Sequence, residues 1–275
     1  MHIGEKLLLH NDNSRGSLGS FAGRVNVILS MVSQAVIKQV RALQRKKNRT
    51  ATKQFVVEGH RGIQDIMDTG MVPGLFLTTN PAQAPENIPV ERVHEITQRE
   101  LQAISSLTTA PGTLAVFPQP VWDEVSSDGL SILLDEVRDP GNLGTIIRLA
   151  GWFGVDAIYC STGTIDVYNA KVVQATMAAI VRVPVIYLEA DAVTELVQSR
   201  PSIATTMGGH SVYEFTWPQS GLLIMGNESH GMHPDLIAAS RHNISIPQFA
   251  KTNAVESLNV ATATGILLNE WRRRG

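Results

Sequence analysis

The chain has 275 residues, enough for two domains, and its 43% hydrophobic and 17% charged residues are typical of a globular protein with a full core. Its net charge of −2 excludes a strongly basic protein, so any surface for nucleic acid must be local. No stretch approaches the ~18 apolar residues of a membrane span, and the single cysteine, Cys160, excludes an internal disulfide, so we expect a cytoplasmic protein with no membrane partner.

The first part of the chain divides into a leader and a small α/β domain. Residues 1–31 are polar and rich in glycine and serine, which predicts a flexible leader to which we assign no function. Residues 32–117 have the apolar periodicity of alternating helices and strands. The predicted helices are 32–43, 61–69 and 98–106, and the predicted strands are 54–58, 74–78, 91–96 and 113–117. Prolines, charges and a glycine in residues 118–129 predict a linker.

A cluster of basic residues follows the first predicted helix. It consists of Arg41, Arg45, Lys46, Lys47 and Arg49. Cations interact favourably with the dipole at the C-terminal end of a helix, so a solvated helix end would explain the cluster. A surface that contacts phosphates is the alternative, and composition alone favours the solvated helix end.

The second domain, residues 130–275, begins with the nearly continuous apolar strand SILLDEV, as expected when helices cover both faces of a sheet. Strands are predicted at 157–160, 185–188, 203–206, 222–225 and 243–246, helices at 145–152, 170–180, 192–198 and from 257, and a turn at Gly208-Gly209. This alternation predicts an α/β fold with a mainly parallel sheet and right-handed crossovers. Ligands of such sheets bind beyond the carboxyl ends of the strands.

Three segments of this domain could carry chemistry. In DPGNLGTIIR, Asn142 stands where a helix N-cap belongs, and Arg148 on an otherwise apolar helix needs a carboxylate or a phosphate as its partner. In GNESHGM, Gly226 allows the backbone to approach a ligand closely. Glu228 is either an acid at a helix start or a partner for Arg148.

The third segment, ESLNVATATG, opens the last predicted helix. Ser257 and Asn259 either cap this helix or present a hydroxyl and an amide to a ligand. The small residues from Ala261 to Gly265 suit close packing or a subunit interface. The chain lacks a P-loop, a GxGxxG fingerprint after the first strand, an HExxH motif and a GxSxG elbow, and its eight histidines are scattered. We therefore expect no metal site.

Together the three segments resemble the signature motifs of the SpoU (TrmH-type) RNA ribose methyltransferases of the SPOUT superfamily. The matching residues are Asp139-Pro140-Gly141-Asn142-Leu143-Gly144 with Arg148, Met225-Gly226-Asn227-Glu228 with Gly231, and Ile246-Pro247 with Ser257-Leu258-Asn259-Val260. Each motif alone is weak, but their order and spacing across residues 130–272 are specific. Residues 33–117 also resemble the substrate-binding domain of that family, through a pattern at residues 37–59.

The resemblance implies methyl transfer from S-adenosylmethionine to a ribose 2′-hydroxyl in structured RNA. It also implies a trefoil knot in the C-terminal domain, a smaller N-terminal RNA-binding domain and a homodimer. Ribosomal RNA is the favoured substrate and transfer RNA the alternative. A non-catalytic RNA-binding or ribosome-assembly protein on the same scaffold is the competing hypothesis.

The resemblance also assigns roles to residues. In that family the arginine that matches Arg148 is proposed as the activating base, helped by a phosphate. Because a guanidinium is hard to deprotonate, we expect Arg148 instead to clamp an RNA phosphate and the developing alkoxide. The residues expected to orient Arg148 and the target ribose are Asn142, Glu228, Ser257 and Asn259. The residues expected at the cofactor are Thr206, Met207, Gly208, Met225, Gly226, Ile246 and Leu258. The resemblance also favours RNA contacts for Lys46, Lys47 and Arg49.

Overall fold

A computed structural model describes residues 31–122, 125–126, 128–250 and 256–274. The predicted leader, apart from Met31, lies outside these described residues. Two sheets form the frame of the molecule, one on each side of the stretch between residues 118 and 130.

The N-terminal domain is a four-stranded sheet with helices packed on it. Its strands are β1 (Gln54–Glu58), β2 (Leu75–Thr78), β3 (Val93–Glu95) and β4 (Thr113–Pro118), and its helices are α1 (Gln34–Ala42), α2 (Lys46–Thr52), α3 (His60–Met67) and α4 (Gln98–Ile104). The strand order is β1-β4-β2-β3, and β4 is antiparallel to both of its neighbours. The four predicted strands are confirmed, each within a few residues of its expected bounds.

The basic cluster extends over a turn and a second helix, which the sequence analysis did not separate from the first. After α1 ends, side chains of α2 satisfy the carbonyls that the turn leaves open. Asn48 Nδ2 donates to the carbonyl of Ala42 over 2.7 Å. Arg49 Nη1 donates to the carbonyls of Leu43 and Gln44 over 2.8 and 2.9 Å. Hydrogen bonds from side chains to backbone carbonyls five or six positions earlier leave no periodic apolar signal in the sequence.

The C-terminal domain is a six-stranded sheet with helices on both faces. Its strands are β5 (Leu130–Leu134), β6 (Ala157–Ser161), β7 (Val185–Leu188), β8 (Ser202–Ser211), β9 (Gly221–Met225) and β10 (His242–Ser245), and its helices are α5 (Pro140–Phe153), α6 (Ala170–Thr176), α7 (Ala190–Ser199), α8 (Pro234–Ala239) and α9 (Val260–Arg274). The order is β10-β8-β9-β5-β6-β7, and every neighbouring pair is parallel. The predicted parallel α/β fold is confirmed.

Helix α5 begins earlier than the sequence predicts, and its cap is a different residue. Pro140 occupies the first turn, where its missing N–H is harmless. Asp139 is the N-cap, because its Oδ1 accepts from the backbone N–H of Asn142 over 2.8 Å. The prediction that Asn142 caps the helix is therefore wrong, and its side chain is available for another contact.

Strand β8 continues through the two glycines that were expected to form a turn. Ala204 pairs with Asn243 of β10, but the next residue of β10, Ile244, pairs with His210, so residues 205–209 bulge from the strand. A Cβ at Gly209 would lie 2.5 Å from the backbone of Ile244, so only glycine fits there. The bulge lies where the cofactor was predicted.

One continuous core joins the two domains. Buried side chains of both sheets, such as Phe55 of β1 and Leu130 of β5, belong to the same hydrophobic cluster. The ring of Phe55 packs against Tyr168, with centroids 5.0 Å apart, and β1 packs on α6. The two domains are therefore packed together through an apolar boundary.

Candidate active site

A chain of hydrogen bonds between three side chains joins three segments of the C-terminal domain. Asn142, in the first turn of α5, donates through Nδ2 to Glu228 Oε1 over 2.7 Å. Asn259, which precedes α9, donates through Nδ2 to Asn142 Oδ1 over 2.8 Å. Asn259 Oδ1 accepts from the N–H groups of Ala261 and Thr262 over 3.0 and 3.2 Å and so caps α9. Three of the predicted site residues thus lie together.

The chemistry of these groups permits one arrangement of the two amides. An ionised Glu228 only accepts hydrogen bonds, so Asn142 must turn its NH₂ group toward it. Asn142 Oδ1 then faces Asn259, whose own oxygen is already engaged in capping α9. The positive ends of the α5 and α9 dipoles converge on this chain of amides. A phosphate or a developing oxyanion is favoured at such a point.

A tight turn after β9 presents Glu228. Asn227 and Gly231 exchange backbone hydrogen bonds of 2.9 and 3.0 Å, and Gly231 has a φ of +75°, which favours glycine. The buried side chain of Asn227 donates to the carbonyl of Glu136 over 2.7 Å and ties the turn to the loop after β5. Glu228 is therefore in a turn and not at a helix start. Asn227 belongs to the second motif, but its role in holding the turn was not predicted, because a contact across 91 positions leaves no local signal.

A hollow of about 480 Å³ opens between α5 and α9 beside the amides. Its lining residues are Asp139, Gly141, Asn142, Thr145, Leu149, Asn259, Ala261, Thr262 and Gly265. Small side chains on this face of α9 leave the space open. In the described residues, no group of three or more His, Cys, Asp or Glu side chains could hold a metal ion there or elsewhere.

Arg148 lies on another side of α5. It is exposed and lines a second hollow of about 410 Å³ with Trp152, Met177 and Arg182. About 120° around the helix axis separates positions 142 and 148, so the two side chains diverge. Among the described residues Arg148 makes no hydrogen bond or ion pair with the amide chain. The described residues of one chain therefore do not show the expected orientation of Arg148 by Asn142 and its partners.

The residues predicted to hold the cofactor lie around the adjacent carboxyl ends of β8, β9 and β10. Thr206, Met207 and Gly208 belong to the bulge of β8, Met225 ends β9 and precedes Gly226, Ile246 follows β10, and Leu258 precedes α9. Ser257 is exposed next to Leu258, and no hydrogen bond joins its hydroxyl to the amide chain in the described part of the molecule. These segments lie at one end of the sheet, beside the carboxyl ends of β8, β9 and β10, which we call the cofactor edge. Ser257 is not brought into the amide chain.

Two glycines at this edge differ in the space around them: Gly226 is closely packed, and Gly208 is open. A Cβ at Gly226 would lie 2.5 Å from the nitrogen of Met232, because the turn after β9 folds back on it. Gly208 has no atom within 4 Å of such a Cβ. Met207 and Leu258 are 70% and 49% exposed, which is unusual for large apolar side chains. The edge thus combines open backbone with apolar surface.

The residues predicted to contact RNA differ in exposure. Lys46 and Lys47 are exposed on α2. Arg49 is only 6% exposed, forms an ion pair with Asp166 and engages all three of its side-chain nitrogens. The prediction of an RNA contact is therefore wrong for Arg49, because a buried and fully engaged guanidinium cannot reach a phosphate.

Comparison with known proteins assigns a family to each domain. Residues 129–269 match the SpoU rRNA methylase family, and residues 34–115 match the MRM3-like substrate binding domain. One curated relative is the 23S rRNA (guanosine(2553)-2′-O)-methyltransferase RlmP of Bacillus subtilis. It is 28% identical over 240 residues, which cover 86% of this chain and 95% of that protein.

Solved structures share the whole fold. A protein of Porphyromonas gingivalis assigned to the TrmH family of RNA methyltransferases has a TM-score of 0.79 and 36% identity, and the match covers 90% of this chain and 100% of that one. An AdoMet-bound rRNA methyltransferase of Sinorhizobium meliloti has a TM-score of 0.74 and 28% identity, with coverages of 89% and 97%. The match at residues 129–269 spans half of the chain and contains all three motifs, so the chain belongs to the SpoU rRNA methylase family.

Proposed function

We propose that the protein transfers a methyl group from S-adenosylmethionine to a ribose 2′-hydroxyl of ribosomal RNA. Membership of the SpoU rRNA methylase family supports this reaction, and the Bacillus subtilis relative is named for it on 23S rRNA. The observation that carries the proposal is the chain of hydrogen bonds from Glu228 through Asn142 to Asn259. It unites residues of three motifs at the point where two helix N-termini favour negative charge.

The edge formed by β8, β9 and β10 fits S-adenosylmethionine. Open backbone at Gly208 provides hydrogen-bonding groups, and the exposed side chains of Met207 and Leu258 provide apolar contact for an adenine ring. Gly226 keeps the following turn close to the end of β9, which shapes the edge. When bound, S-adenosylmethionine supplies an electrophilic methyl group on its sulfonium. Gly226, Ile246 and Leu258 are the residues that we expect to hold the adenine and ribose.

In this proposal Arg148 binds negatively charged groups of the RNA and does not accept a proton. A guanidinium is hard to deprotonate and stays charged in proteins. Its planar donors suit a phosphate oxygen and the alkoxide that develops as the 2′-hydroxyl loses its proton to water. Because Arg148 is exposed beside a hollow, RNA can reach it.

Positioning supplies much of the expected rate. Holding two reacting groups in line can contribute roughly 7–11 kcal/mol. We assign this work to Asn142, Glu228, Asn259 and Ser257, of which the first three are already fixed by hydrogen bonds before substrate binds. Preformed hydrogen bonds reduce the ordering that substrate binding requires.

The cationic surface of the N-terminal domain supports an RNA partner. Lys46 and Lys47 are exposed on α2, and Arg41 and Arg45 are exposed on the preceding turn and helix. The whole chain carries a net charge of −2, so these residues are a local positive region on a nearly neutral protein. Such regions supply the phosphate contacts that dominate affinity for nucleic acid.

A homodimer belongs to the proposal. Trp152 is 84% exposed on α5 next to Arg148, and exposed tryptophans are enriched in protein interfaces. The small residues of α9 beside the first hollow allow a close approach of a second copy. A partner chain seated on α5 would offer Arg148 hydrogen-bond acceptors, which it does not meet among the described residues of its own chain.

A trefoil knot and a cytoplasmic location complete the proposal. The chain runs from the edge strand β10 back to α9, which packs on α5, and β9 is inserted between β8 and the earlier strand β5. Such an out-of-order return of the C-terminal segment supports a knot. Cys160 is a free, buried thiol, which supports a reducing compartment. In the described ranges, no helix has the length and apolarity needed to cross a bilayer.

The test is mapping of 2′-O-methyl nucleotides by mass spectrometry in cells with and without the protein. We expect one methylated ribosomal nucleotide to disappear and to return with the parent chain but not with Arg148→Ala. Loss of a methyl group in transfer RNA instead would redirect the substrate. An unchanged methylation map together with RNA binding by the purified protein would favour the non-catalytic hypothesis.

A further inference from the structure

Arg49 of the N-terminal domain and Asp166 of the methyltransferase domain form an ion pair across the domain boundary. Nε and Nη2 of Arg49 both donate to Asp166 Oδ2, the former over 3.0 Å. The two side chains are 7% and 14% exposed, so water screens the pair little. Removing one partner from such a buried pair leaves the other uncompensated.

The remaining donors of Arg49 hold its own domain. Nη1 donates to the carbonyls of Leu43 and Gln44 in the turn between α1 and α2. The backbone carbonyl of Arg49 accepts from Gln119 Nε2 over 3.2 Å, where the chain leaves the N-terminal sheet. The side chain of Arg49 therefore links the turn before α2 to the methyltransferase domain by hydrogen bonds.

Asp166 is fixed from the methyltransferase side. Its Oδ1 accepts from the backbone N–H of Tyr168 over 3.2 Å. The hydroxyl of Tyr187 on β7 accepts from the N–H of Val167 over 2.8 Å and donates to the carbonyl of Ile165. The loop that carries Asp166 is thus fastened to the sheet by both of its neighbours.

Two aromatic contacts lie on the same boundary. The ring of Phe55 on β1 packs on Tyr168, and Lys46 Nζ lies 5.5 Å from the ring centroid of Tyr187. The latter is a cation–π contact between α2 and the catalytic sheet. Helix α2, which carries the exposed cations, is therefore held against the methyltransferase domain by an ion pair and a cation–π contact, and the neighbouring strand β1 adds the apolar contact of Phe55.

We propose that Arg49 and Asp166 form a latch that fixes the cationic surface of α2 relative to the methyltransferase site, and that both are positioning residues for RNA. The inference rests on the proposed function. When the two domains are held rigidly, the distance between Lys46 and Lys47 and the methyltransferase site is fixed. A folded RNA of matching shape then binds without rearrangement of the domains. When the latch is open, only a fraction of molecules has that spacing, and the apparent RNA dissociation constant rises by the inverse of the fraction.

The kinetic test uses Asp166→Asn in the full chain. Asp68→Asn is the matched control, because it removes the same charge from an exposed carboxylate that accepts a hydrogen bond from Gln64 within the N-terminal domain. For Asp166→Asn we expect the KM for a folded ribosomal RNA fragment to rise at least about tenfold, with kcat and the Kd for S-adenosylmethionine within about twofold. Asp68→Asn leaves all three values at the parent level. An unchanged RNA KM, or an equal loss of cofactor affinity, overturns the latch.

A second variant covers the case in which Asp166→Asn does not fold. Arg49→Lys keeps the charge opposite Asp166, but an ammonium lacks the planar fork that reaches Asp166 and two carbonyls together. We expect the same rise in RNA KM with intact cofactor binding. Parent kinetics in Arg49→Lys would contradict the proposal.

A structural readout separates the latch from the proposed function. Spin labels at Ala51→Cys in α2 and Gln198→Cys in α7 report the distance between the domains, and the buried Cys160 is shielded from the reagent. We expect a narrow distance distribution in the parent and a broadened one in Asp166→Asn. An unchanged distribution overturns the latch. A broadened distribution in a protein that methylates no RNA supports the latch and overturns the proposed function.

Discussion

Asn142 donates a hydrogen bond to Glu228 over 2.7 Å although 86 positions separate the two residues in the chain. The contact joins the N-terminus of α5 to the turn after β9, and Asn259 extends it to the start of α9. The direction of the hydrogen bonds along the two amides is fixed. A carboxylate, which accepts, lies at one end, and backbone N–H groups, which donate, lie at the other. The site is therefore polarised before any substrate arrives.

Asn142→Asp tests this polarity with little change in shape. The substitution replaces the donor to Glu228 by a second carboxylate, and like charges at hydrogen-bond distance repel. We expect kcat/KM to fall on the order of 100-fold, the effect of losing one preorganised donor. Thr145→Ser, in the same hollow but outside the amide chain, is the control and should retain parent kinetics. Full activity of Asn142→Asp would remove the amide chain from the mechanism.

Arg148→Lys tests whether the planar fork of Arg148 is needed. A lysine keeps the positive charge but binds phosphate as a point charge, without paired donors. We expect kcat to fall about 10-fold or more, with the Kd for S-adenosylmethionine unchanged because Arg148 lies away from the cofactor edge. Arg182→Lys in the same hollow controls for loss of a guanidinium there. Near-parent turnover by Arg148→Lys would mean that charge alone suffices.

Gly209→Ala and Gly208→Ala form a matched pair in the bulge of β8. A Cβ at Gly209 would lie 2.5 Å from the backbone of Ile244, whereas one at Gly208 would have no neighbour within 4 Å. We expect Gly209→Ala to lower the free energy of unfolding by about 1–3 kcal/mol through overpacking. Gly208→Ala should change it by less than about 0.5 kcal/mol. Denaturant unfolding measures both, and equal stabilities would contradict the described register of β8 and β10.

Lys47→Ala tests the RNA surface of α2. Lys47 is exposed, so its removal should weaken RNA binding and reduce the slope of log K against log salt by about one unit per lost phosphate contact. Lys171→Ala removes an exposed cation from α6 and serves as the control. Filter binding at several salt concentrations gives both slopes. Identical slopes for parent and Lys47→Ala would place the RNA elsewhere.

The capping box of α4 predicts a pH dependence of stability. Hydrogen bonds from the hydroxyl and the N–H of Thr97 hold the pKa of Glu100 below its usual 4.5. Because the unfolded chain then binds the proton more readily, the stabilisation is present above about pH 4.5 and lost as pH falls through the folded pKa. Glu100→Gln should show a smaller drop in Tm between neutral and acid pH than the parent. Glu91→Gln, an exposed carboxylate outside the box, should behave like the parent.

Local pattern was sufficient for most elements of the fold. Apolar runs and turn residues predicted the strands of both sheets. In the parallel C-terminal sheet, burial on both faces selects continuous apolar residues. The predicted boundaries were wrong where one specific contact decided them, either a capping side chain or a close approach of another strand. Asp139 started α5 at Pro140, and the backbone of Ile244 kept β8 running through Gly209.

The sequence by itself determined the family, the parallel α/β fold and the residues Asn142, Glu228 and Asn259, because these depend on residue types in a fixed order along the chain. Only the tertiary structure decided the partners of the charged residues. It buried Arg49 against Asp166 and placed Arg148 beside an open hollow with Trp152 and Arg182. A guanidinium has the same chemistry on a surface and in a core, and only the packing around it determines whether it meets water, RNA or a carboxylate.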